Sequence, residues 1–400
     1  KMNDMKTINI TPFLLVLSLL VSCSSDGDDG PEVVVPQDAT LTMAIAPGSI
    51  LTKAAKSETP ETKNGEKKIN NICAALFKAD GSLLTTAYVD YKDIPTETTP
   101  DTIRISAKSD TPYTYVILVN VGNQSFSNLD DLKSKTYDLE NIKVDNQPMC
   151  SRFMTITDQM LKPGANYWGP DKAFPNKPSG AGSLSEEAVN VYRTVSRIDL
   201  EQISVSWSGD NAADLKEAKA RFRLKRIYVI DAKNATCLAD HSSTDASVEL
   251  TGEGRTFLHG REAGENYFSG LDLFPAVGEN LVVIDADNSY VPANKWQCYV
   301  TENTETSNPT TLILKGDILE GDTPILSDRY FFIRLENMKG TDANNTEHIL
   351  AGVIRNYVIR INATITGKGS GDEEYKENAY VKVTVTPEEW SVETQHEDVN

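Results

Sequence analysis

The chain has few of the residue types on which catalytic and metal sites depend. It contains only four histidines in 400 residues, and none of them has another histidine at metal-ligand spacing. It also lacks the HExxH, GxSxG, P-loop and strand-associated GxGxxG motifs of hydrolases and nucleotide-binding enzymes. The sequence therefore predicts a protein that is not an enzyme and that holds no metal ion and no cofactor.

Cysteine is also scarce, and its spacing argues against a thiol-based metal site. Besides Cys23, the chain has Cys73, Cys150, Cys237 and Cys298, which are 61 to 87 residues apart, so no CxxC pair exists. Cys73 and Cys298 lie in apolar strand patterns, where cysteine behaves as a small hydrophobic residue. We expect buried reduced thiols, and a disulfide between distant strands is the alternative in an exported protein.

Basic residues are in the minority. The 39 lysines and arginines are outnumbered by 58 aspartates and glutamates, which gives a net charge of −19 and a pI of about 4.7. A surface of this charge repels the phosphates of nucleic acids and anionic lipid headgroups. We therefore expect neither nucleic acid nor an anionic membrane surface as a partner.

No apolar run is long enough to span a membrane, but one lies at the start of the chain. The run from Ile8 to Val21 follows Lys1 and Lys6 and is shorter than the about 20 residues that a membrane-spanning helix needs. It ends in Leu20-Val21-Ser22-Cys23, which is typical of a bacterial lipoprotein signal. We predict a removed signal peptide over 1–22 and a lipid on Cys23; a buried strand or helix is the alternative.

The residues after Cys23 are polar, acidic and rich in glycine. Such a composition cannot bury a core, so 23–37 is predicted to be a flexible tether between the lipid and the folded protein. A second shift in composition, to proline and glycine, occurs between Lys162 and Gly182. We place a domain boundary just after it, with an N-terminal domain over 38–185 and a C-terminal domain over 186–400.

Short alternating apolar patterns predict a mostly β protein. Residues 39–46 place Leu41, Met43 and Ile45 on one face of a half-buried strand. Asp80-Gly81 separates two further strand patterns and indicates a hairpin with a type I′ turn. Short helices are predicted near 127–133, where a capping-box pattern occurs, and over 211–221. The second half contains at least eight strand patterns, which are listed here: 188–207, 224–231, 280–286, 295–301, 310–315, 329–335, 357–366 and 380–386. This spacing favours β-sandwiches.

Several stretches, in this order along the chain, carry a resemblance to a known family. They are Gly65-Glu66, the strand 73–79 before Asp80-Gly81, Tyr192–Ile198, Cys298–Asn303 and Ile354–Val358. With the lipoprotein signal, they make the chain similar to the type V fimbrial subunits, or fimbrillins, and in particular to the lipoproteins of the minor fimbrium subunit type. The resemblance implies an all-β fold of two transthyretin-like, Greek-key β-sandwich domains with few short helices.

The resemblance also implies assembly by exchange of strands between subunits. The strand with Leu41, Met43 and Ile45 would be removed with the lipid when a protease cuts an exposed segment over 47–67. We expect the cut between Lys53 and Ala54, with Lys56 as the alternative. The vacated groove would then accept a donor strand of another subunit. We assign this role to Val381, Val383, Val385 and Trp390 near the C-terminus, which could instead form the last strand of their own domain.

One feature departs from the family pattern. Family members are matured by cleavage after arginine, but no arginine precedes Arg104. The chain therefore needs a protease that accepts lysine, or it stays uncut and keeps its lipid as an anchor.

The expected location follows from these assignments. We expect an outer membrane lipoprotein precursor that then becomes part of a cell-surface fimbrium. Its expected partners are other fimbrial subunits, in a homopolymer with accessory tip and anchor subunits, together with the processing protease and, through the lipid before maturation, the outer membrane. A tip adhesin or anchor subunit is the first alternative. Tyr167-Trp168-Gly169 is then a candidate ligand surface, and packing between the two domains is the alternative explanation of these residues. A monomeric glycan-binding surface lipoprotein is the second.

Overall fold

Short strands make up nearly all of the regular structure. The computed structural model describes residues 35–47, 65–91, 102–156, 160–208, 212–239, 256–261, 264–274, 281–341, 347–374 and 381–389. The chain divides into two units, residues 1–35 and 36–400, and Val35 is the one described residue of the first unit.

Eleven of the described strands precede Thr194: β1 (Asp38–Pro47), β2 (Asn71–Phe77), β3 (Leu83–Asp90), β4 (Thr102–Lys108), β5 (Tyr113–Val119), β6 (Thr136–Asp138), β7 (Met149–Ser151), β8 (Met154–Ile156), β9 (Gly164–Trp168), β10 (Gly182–Ser185) and β11 (Val189–Arg193). Fifteen follow it: β12 (Val195–Val205), β13 (Arg221–Ile230), β14 (Ala232–Lys233), β15 (Ala235–Cys237), β16 (Phe257–Leu258), β17 (Asp272–Phe274), β18 (Val282–Ile284), β19 (Ser289–Tyr290), β20 (Trp296–Thr301), β21 (Thr311–Glu320), β22 (Thr323–Arg334), β23 (Met338–Thr341), β24 (Glu347–Leu350), β25 (Tyr357–Ile365) and β26 (Val381–Glu389). The predicted all-β class is confirmed.

The helices are short. They are α1 (Leu129–Ser134), α2 (Ala213–Glu217) and three 3-10 turns over Leu139–Asn141, Asp171–Ala173 and Ser269–Leu271. Within the part of the chain that the structure describes, none of them has the length and hydropathy that a bilayer crossing requires.

The first sandwich is one ten-stranded sheet that folds over onto itself. Its strands follow the order β10-β9-β1-β11-β7-β5-β2-β3, with β4 added on β1 and β8 on β5. The inward faces of β1 and β4 pack against those of β2 and β5 in one apolar core. The other face of β2 is also buried, because Phe126, Leu132 and Leu238 cover it. Strand β2 is therefore buried on both faces, which explains its continuous apolar sequence.

The second sandwich packs two separate sheets face to face. One has the order β19-β12-β25-β26 with β20 on β12, and the other has the order β17-β13-β21-β22 with β18 on β13. Alternate residues of β12, β13, β21 and β25 point into the shared core, which Phe222, Phe331 and Trp207 fill. This two-layer arrangement confirms the predicted sandwich architecture.

The chain passes from the first sandwich to the second at Thr194. The predicted strand over 188–207 is two strands, β11 in the first sheet and β12 in the second sandwich. A short strand pair also joins the two halves, because β6 of the first half pairs with β15 of the second. The domain limits of 38–185 and 186–400 stay a prediction.

The Asp80-Gly81 hairpin forms, but with a longer loop than predicted. The Gly81 N–H donates to the Lys78 carbonyl at 2.9 Å, and the Lys78 N–H donates to the Ser82 carbonyl at 2.9 Å. Of the two turn residues only Gly81 has a positive φ, +80°, whereas a type I′ turn needs two. The loop has three residues, and a β-bulge lies beside Phe77 at the end of β2. Such bulges increase the local twist of the strands.

Both predicted helices are present with different bounds. At α1 the capping residue is Asn128, whose side chain accepts from the Asp131 N–H at 2.8 Å. Helix α2 is shorter than the predicted 211–221, because Lys219 has a left-handed φ of +47° and β13 begins at Arg221.

Cys73, Cys150, Cys237 and Cys298 are all buried as thiols. Burial raises the pKa of the Cys73 thiol, which keeps it protonated and unreactive near neutral pH.

Candidate functional site

Strand β1 occupies a central position in the first sandwich. Along one edge it pairs antiparallel with β4 over seven residues, from Asp38 opposite Lys108 to Ala44 opposite Thr102. Along the other edge it runs parallel to β9 and then to β11, which it meets from Ile45 to Pro47. The first described strand is thus hydrogen-bonded on both edges, and its removal would leave two unpaired edges facing each other.

The three predicted core residues of β1 are buried. Leu41 and Met43 have no exposed surface, and Ile45 is 6% exposed. They pack in the first core against Ile103 and Ile105 of β4 and against β2 and β5. The alternate residues Thr40 and Thr42 are only half-buried, as the predicted two-faced strand requires.

We expect Leu41→Ala to lower the free energy of unfolding by about 2–5 kcal/mol, because it removes a fully buried side chain and leaves a cavity. Thr42→Ala on the other face is the matched control and should change it by about 0.5 kcal/mol or less. Urea unfolding of the two variants measures both effects, and equal effects would contradict the burial of Leu41.

Aromatic residues of β9 pack beside β1. The Trp168 ring lies edge-on to Tyr115, with ring centroids 5.4 Å apart, and Tyr167 packs on Phe174 at 5.0 Å. Gly169 has a φ of +136°, and a Cβ atom there would lie 2.6 Å from the Cβ of Ala44. The partners of these residues, Tyr115, Phe174 and Ala44, precede the second sandwich in the chain. The residues therefore stabilise the first sandwich next to β1.

Strand β26 is the last described strand and lies at a sheet edge. It pairs antiparallel with β25 over nine residues, from Val381 opposite Ile365 to Glu389 opposite Tyr357. Within the described residues it is paired along one edge only. Val381, Val383 and Val385 are partly buried against the second core, and Lys382 and Thr384 are exposed.

The remaining predicted site residues lie outside the described residues. They are the lipidation residue Cys23, the cleavage residues Lys53, Ala54 and Lys56, and Trp390 of the donor strand. The predicted exposed segment over 47–67 is described only at Pro47 and from Gly65 onward, and there it is wrong in one respect. Glu66 is 1% exposed, because it is held in a buried network between the two sandwiches.

Four charged residues form the centre of this network. Arg197 Nη1 donates to both carboxylate oxygens of Glu66 at 2.8 Å. The Arg197 Nε and Nη2 atoms donate to the two oxygens of Asp199 at 2.7 and 2.9 Å. The Tyr299 hydroxyl donates to Glu66 at 2.7 Å, and Arg193 Nη2 donates to the Glu66 main-chain carbonyl at 2.8 Å. Glu66 is thereby joined to β11, β12 and β20.

The two arginines balance the two carboxylates inside the protein. Burial lowers the pKa of Arg193 to about 10, with Glu66 acting in the opposite direction, so the guanidinium stays charged near neutral pH. Burial alone would lower the pKa of Arg197, but hydrogen bonds and charge from Asp199 and Glu66 outweigh it and raise that pKa. Burial, followed by the charge of Glu66, raises the pKa of Tyr299, which therefore remains a hydrogen-bond donor.

Sequence reasoning missed this network, although Glu66, Arg193, Arg197 and Tyr299 stand in three of the motifs that carry the resemblance. The signal was available in the run Arg193-Thr194-Val195-Ser196-Arg197, where two arginines interrupt an otherwise apolar strand pattern. A buried arginine needs carboxylate partners. The partner Glu66 is more than a hundred positions away, so its identity required the tertiary structure.

The fold and this arrangement define a class of protein: an all-β chain of sandwiches whose first described strand is hydrogen-bonded on both edges. Comparison with known proteins agrees with that class. Residues 39–201, from β1 into β12, match the family model of the major fimbrial subunit protein, FimA. This part of the chain is similar to the fimbrillins, and the resemblance predicted from the sequence is confirmed.

Curated relatives and a solved structure extend the similarity over most of the chain. The chain is 24% identical to the major fimbrium subunit FimA type-2 of Porphyromonas gingivalis, covering 94% of this chain and 96% of that protein. It is also 24% identical to a candidate fimbrium tip subunit, Fim1C, of Parabacteroides distasonis, covering 89% and 86%. The crystal structure of a P. gingivalis fimbrilin superposes with a TM-score of 0.58 at 18% identity, covering 89% of this chain and 99% of that one. The last match shows the shared fold.

Proposed function

We propose that this protein is a structural subunit of a cell-surface fimbrium, exported as a lipoprotein on Cys23 and polymerised after proteolysis by exchange of strands. The observation that carries the proposal is the position of β1. It is the first strand of the described residues, it is paired on both edges, and it supplies buried core residues. The match of residues 39–201 to the fimbrillin family supports the same function.

Loss of β1 would create a binding site for another strand. The edges of β4 and of β9 with β11 would lose their partner, and the core would lose Leu41, Met43 and Ile45. Reburying three aliphatic side chains contributes about 5–9 kcal/mol, and each main-chain hydrogen bond adds about 1 kcal/mol. A donor strand with apolar residues at alternate positions would satisfy both requirements.

The C-terminal strand β26 has the properties of a donor. It is paired on one edge within the described residues, whereas the β1 position offers two edges. Transfer of β26 from its own sheet into the groove of a second copy would therefore replace a one-sided ladder by a two-sided one. That difference in hydrogen bonds favours the exchanged state.

A proteolysis experiment tests the proposal. The chain from Ser24 onward, which cannot carry the lipid, is incubated with trypsin and followed by unheated gel electrophoresis and electron microscopy. We expect a cut near Lys53 to produce ladders and filaments. The matched control is the Lys53→Gln/Lys56→Gln/Lys63→Gln variant, which removes the lysines of 48–64 and should remain monomeric under the same conditions. A cut protein that also stays monomeric would contradict polymerisation by strand exchange.

A tip or anchor position is the second candidate. The pairing of β26 with β25 also fits this position, because a tip or anchor subunit need not donate a strand. The similarity to a candidate tip subunit agrees with this position. In the same experiment such a subunit would form short oligomers capped at one end, and mixing with a polymerising subunit would shorten the filaments.

A further inference from the structure

A pocket of about 520 Å³ lies beside the end of β13 in the second sandwich. Its lining includes Ile230 and Asp231, where β13 ends, and residues of Thr256–Arg261, which contains β16. Glu265 and Asn266 complete the wall. This volume is usual for a small-molecule site. None of the described lining residues belongs to the first sandwich or to β26, so the pocket is separate from the strands proposed to be exchanged.

The main chain at Asp231 has an uncommon conformation. Its φ of +57° is in the left-handed region, which non-glycine residues rarely adopt. Two buried side chains hold it there, because Asn303 Nδ2 and Thr310 Oγ1 both donate to the Asp231 carbonyl at 3.1 Å. Such conformations occur where the surrounding structure enforces them, and they are concentrated at binding and active sites. Asp231 is therefore held in the pocket wall by the fold itself.

The Asp231 carboxylate has no hydrogen-bond or ion-pair partner among the described residues. The side chain is half-buried, and burial raises the pKa of the carboxyl although the charge of Arg261 acts in the opposite direction. Arg261 and His259 both line the pocket and both act on this carboxyl, which places its charge on the pocket side. A partly buried carboxylate is stabilised by hydrogen-bond donors, and these residues do not supply them.

His259 supplies a second polar atom without a partner. The residue is 8% exposed, and its Nε2 atom lies 2.7 Å from the Glu265 main-chain carbonyl. Because a carbonyl oxygen only accepts, Nε2 donates, and Nδ1 of the neutral ring is then an acceptor. Nδ1 is buried and has no hydrogen-bond partner in the described structure. Buried polar atoms without partners are uncommon, and one in a pocket wall is evidence for a functional site.

Hydrogen-bond donors and an apolar surface line the same pocket. Arg261 Nη1 lies 3.4 Å from the Glu373 carboxylate, which leaves the other guanidinium N–H groups able to donate to a ligand. Thr256 and Asn266 add a hydroxyl and an amide, which both donate and accept. The apolar part of the lining consists of Ile230, Phe257 and Leu258. The pocket thus combines acceptors, donors and an apolar wall.

We propose that this pocket binds one sugar ring of a carbohydrate. A ligand charge of either sign would lie near a like charge, because Asp231 and Arg261 are both in the wall. An ammonium group only donates and an anion only accepts, so either would leave part of the polar lining without partners. Each hydroxyl of a sugar does both, and the C–H face of the ring packs on the apolar wall. The site does not require exchange of strands, but a polymer would repeat it in every subunit and so increase the avidity for a carbohydrate surface.

A sugar array tests the proposal. The uncut chain from Ser24 onward is applied to immobilised glucose, galactose, mannose, fucose and N-acetylglucosamine. Titration calorimetry with the sugar that binds best then gives the dissociation constant. Asp231→Asn keeps the side-chain shape and tolerates the left-handed φ, but it removes the charged acceptor. It should weaken binding by about 10- to 100-fold and leave the urea unfolding midpoint nearly unchanged.

Asp287→Asn is the matched control. Asp287 also has a left-handed φ, +60°, but it lies in the turn between β18 and β19, outside the pocket. The same substitution there should leave the affinity for the sugar unchanged. Equal affinities of Asp231→Asn and the parent protein would overturn the assignment of the site.

Arg261→Met separates a sugar from a charged ligand. The variant loses a hydrogen-bond donor and should bind the sugar more weakly, whereas loss of the like charge would tighten the binding of an amine. Free lysine, which carries ammonium and carboxylate groups, is the charged probe. Binding of none of the five sugars would overturn the proposal, and so would binding of lysine alone that Arg261→Met tightens. Neither result bears on the proposed function, which the tryptic polymerisation experiment tests.

Discussion

Arg197→Met lowers the free energy of unfolding by about 3–5 kcal/mol, because it removes the cation that two buried carboxylates share. Glu66 and Asp199 are each 1% exposed, and Arg197 donates to both oxygens of each. Without the guanidinium, both carboxylates remain inside the protein with neither water nor a full set of partners. The effect is measured as the shift of the urea unfolding curve.

The matched control for Arg197 is an ion pair of similar length on the surface. Lys108 Nζ lies 2.6 Å from the Asp38 carboxylate, but both side chains are more than half exposed. Solvent screens such a pair, so Lys108→Met should leave the unfolding midpoint almost unchanged. Similar shifts for Arg197→Met and Lys108→Met would show that the buried network does not stabilise the fold.

The network also has a consequence for maturation. Glu66 is hydrogen-bonded to residues of β11, β12 and β20. The chain after a cut in 48–64 would therefore stay attached to the buried network between the sandwiches. Upstream of the cut, β1 would keep only its non-covalent contacts. Arg197→Met destabilises this network and should therefore increase the rate of further tryptic cleavage after Lys67 or Lys68. N-terminal sequencing of the products would detect this cleavage.

Val383→Asp should abolish polymer growth and leave a folded subunit. In its own sheet Val383 is partly exposed on an edge strand, so the aspartate can keep contact with water. In the groove it would take the place of one of the buried side chains of β1, which are at most 6% exposed, and the charge would be desolvated. Trypsin cleavage followed by unheated electrophoresis should give cut monomers and no ladder, and the urea midpoint reports on the folding of the uncut variant.

Lys382→Asp is the matched control for this prediction. It introduces the same side chain one position away, on the exposed face of β26, and should leave the ladder in place. An unchanged polymer from Val383→Asp would show that β26 is not the donor. Loss of polymer from both variants would indicate that added negative charge, in a chain already at −19, prevents the association.

Local patterns were sufficient to predict many of the elements. The alternation of Leu41, Met43 and Ile45 predicted the buried face of β1, and Asp80-Gly81 predicted a hairpin. Both depend on neighbours within a few positions, where the period of side-chain direction and the φ angle of glycine decide the conformation. The predicted bounds of strands were less accurate where the chain passes from one sheet to another, as at Thr194. No local sequence signal marks a change of hydrogen-bonding partner.

The sequence by itself determined the all-β class, the apolar faces of the first and last strands and the resemblance to fimbrillins, because each depends on residue order along a short stretch. Only the tertiary structure decided that β1 is paired on both edges while β26 is paired on one, and that Glu66 meets Arg197 inside the protein. The contact of Glu66 with Arg197, for example, joins residues that are 131 positions apart. Such contacts depend on how the sheets close over their cores, and the alternation of side chains within a single strand does not specify them.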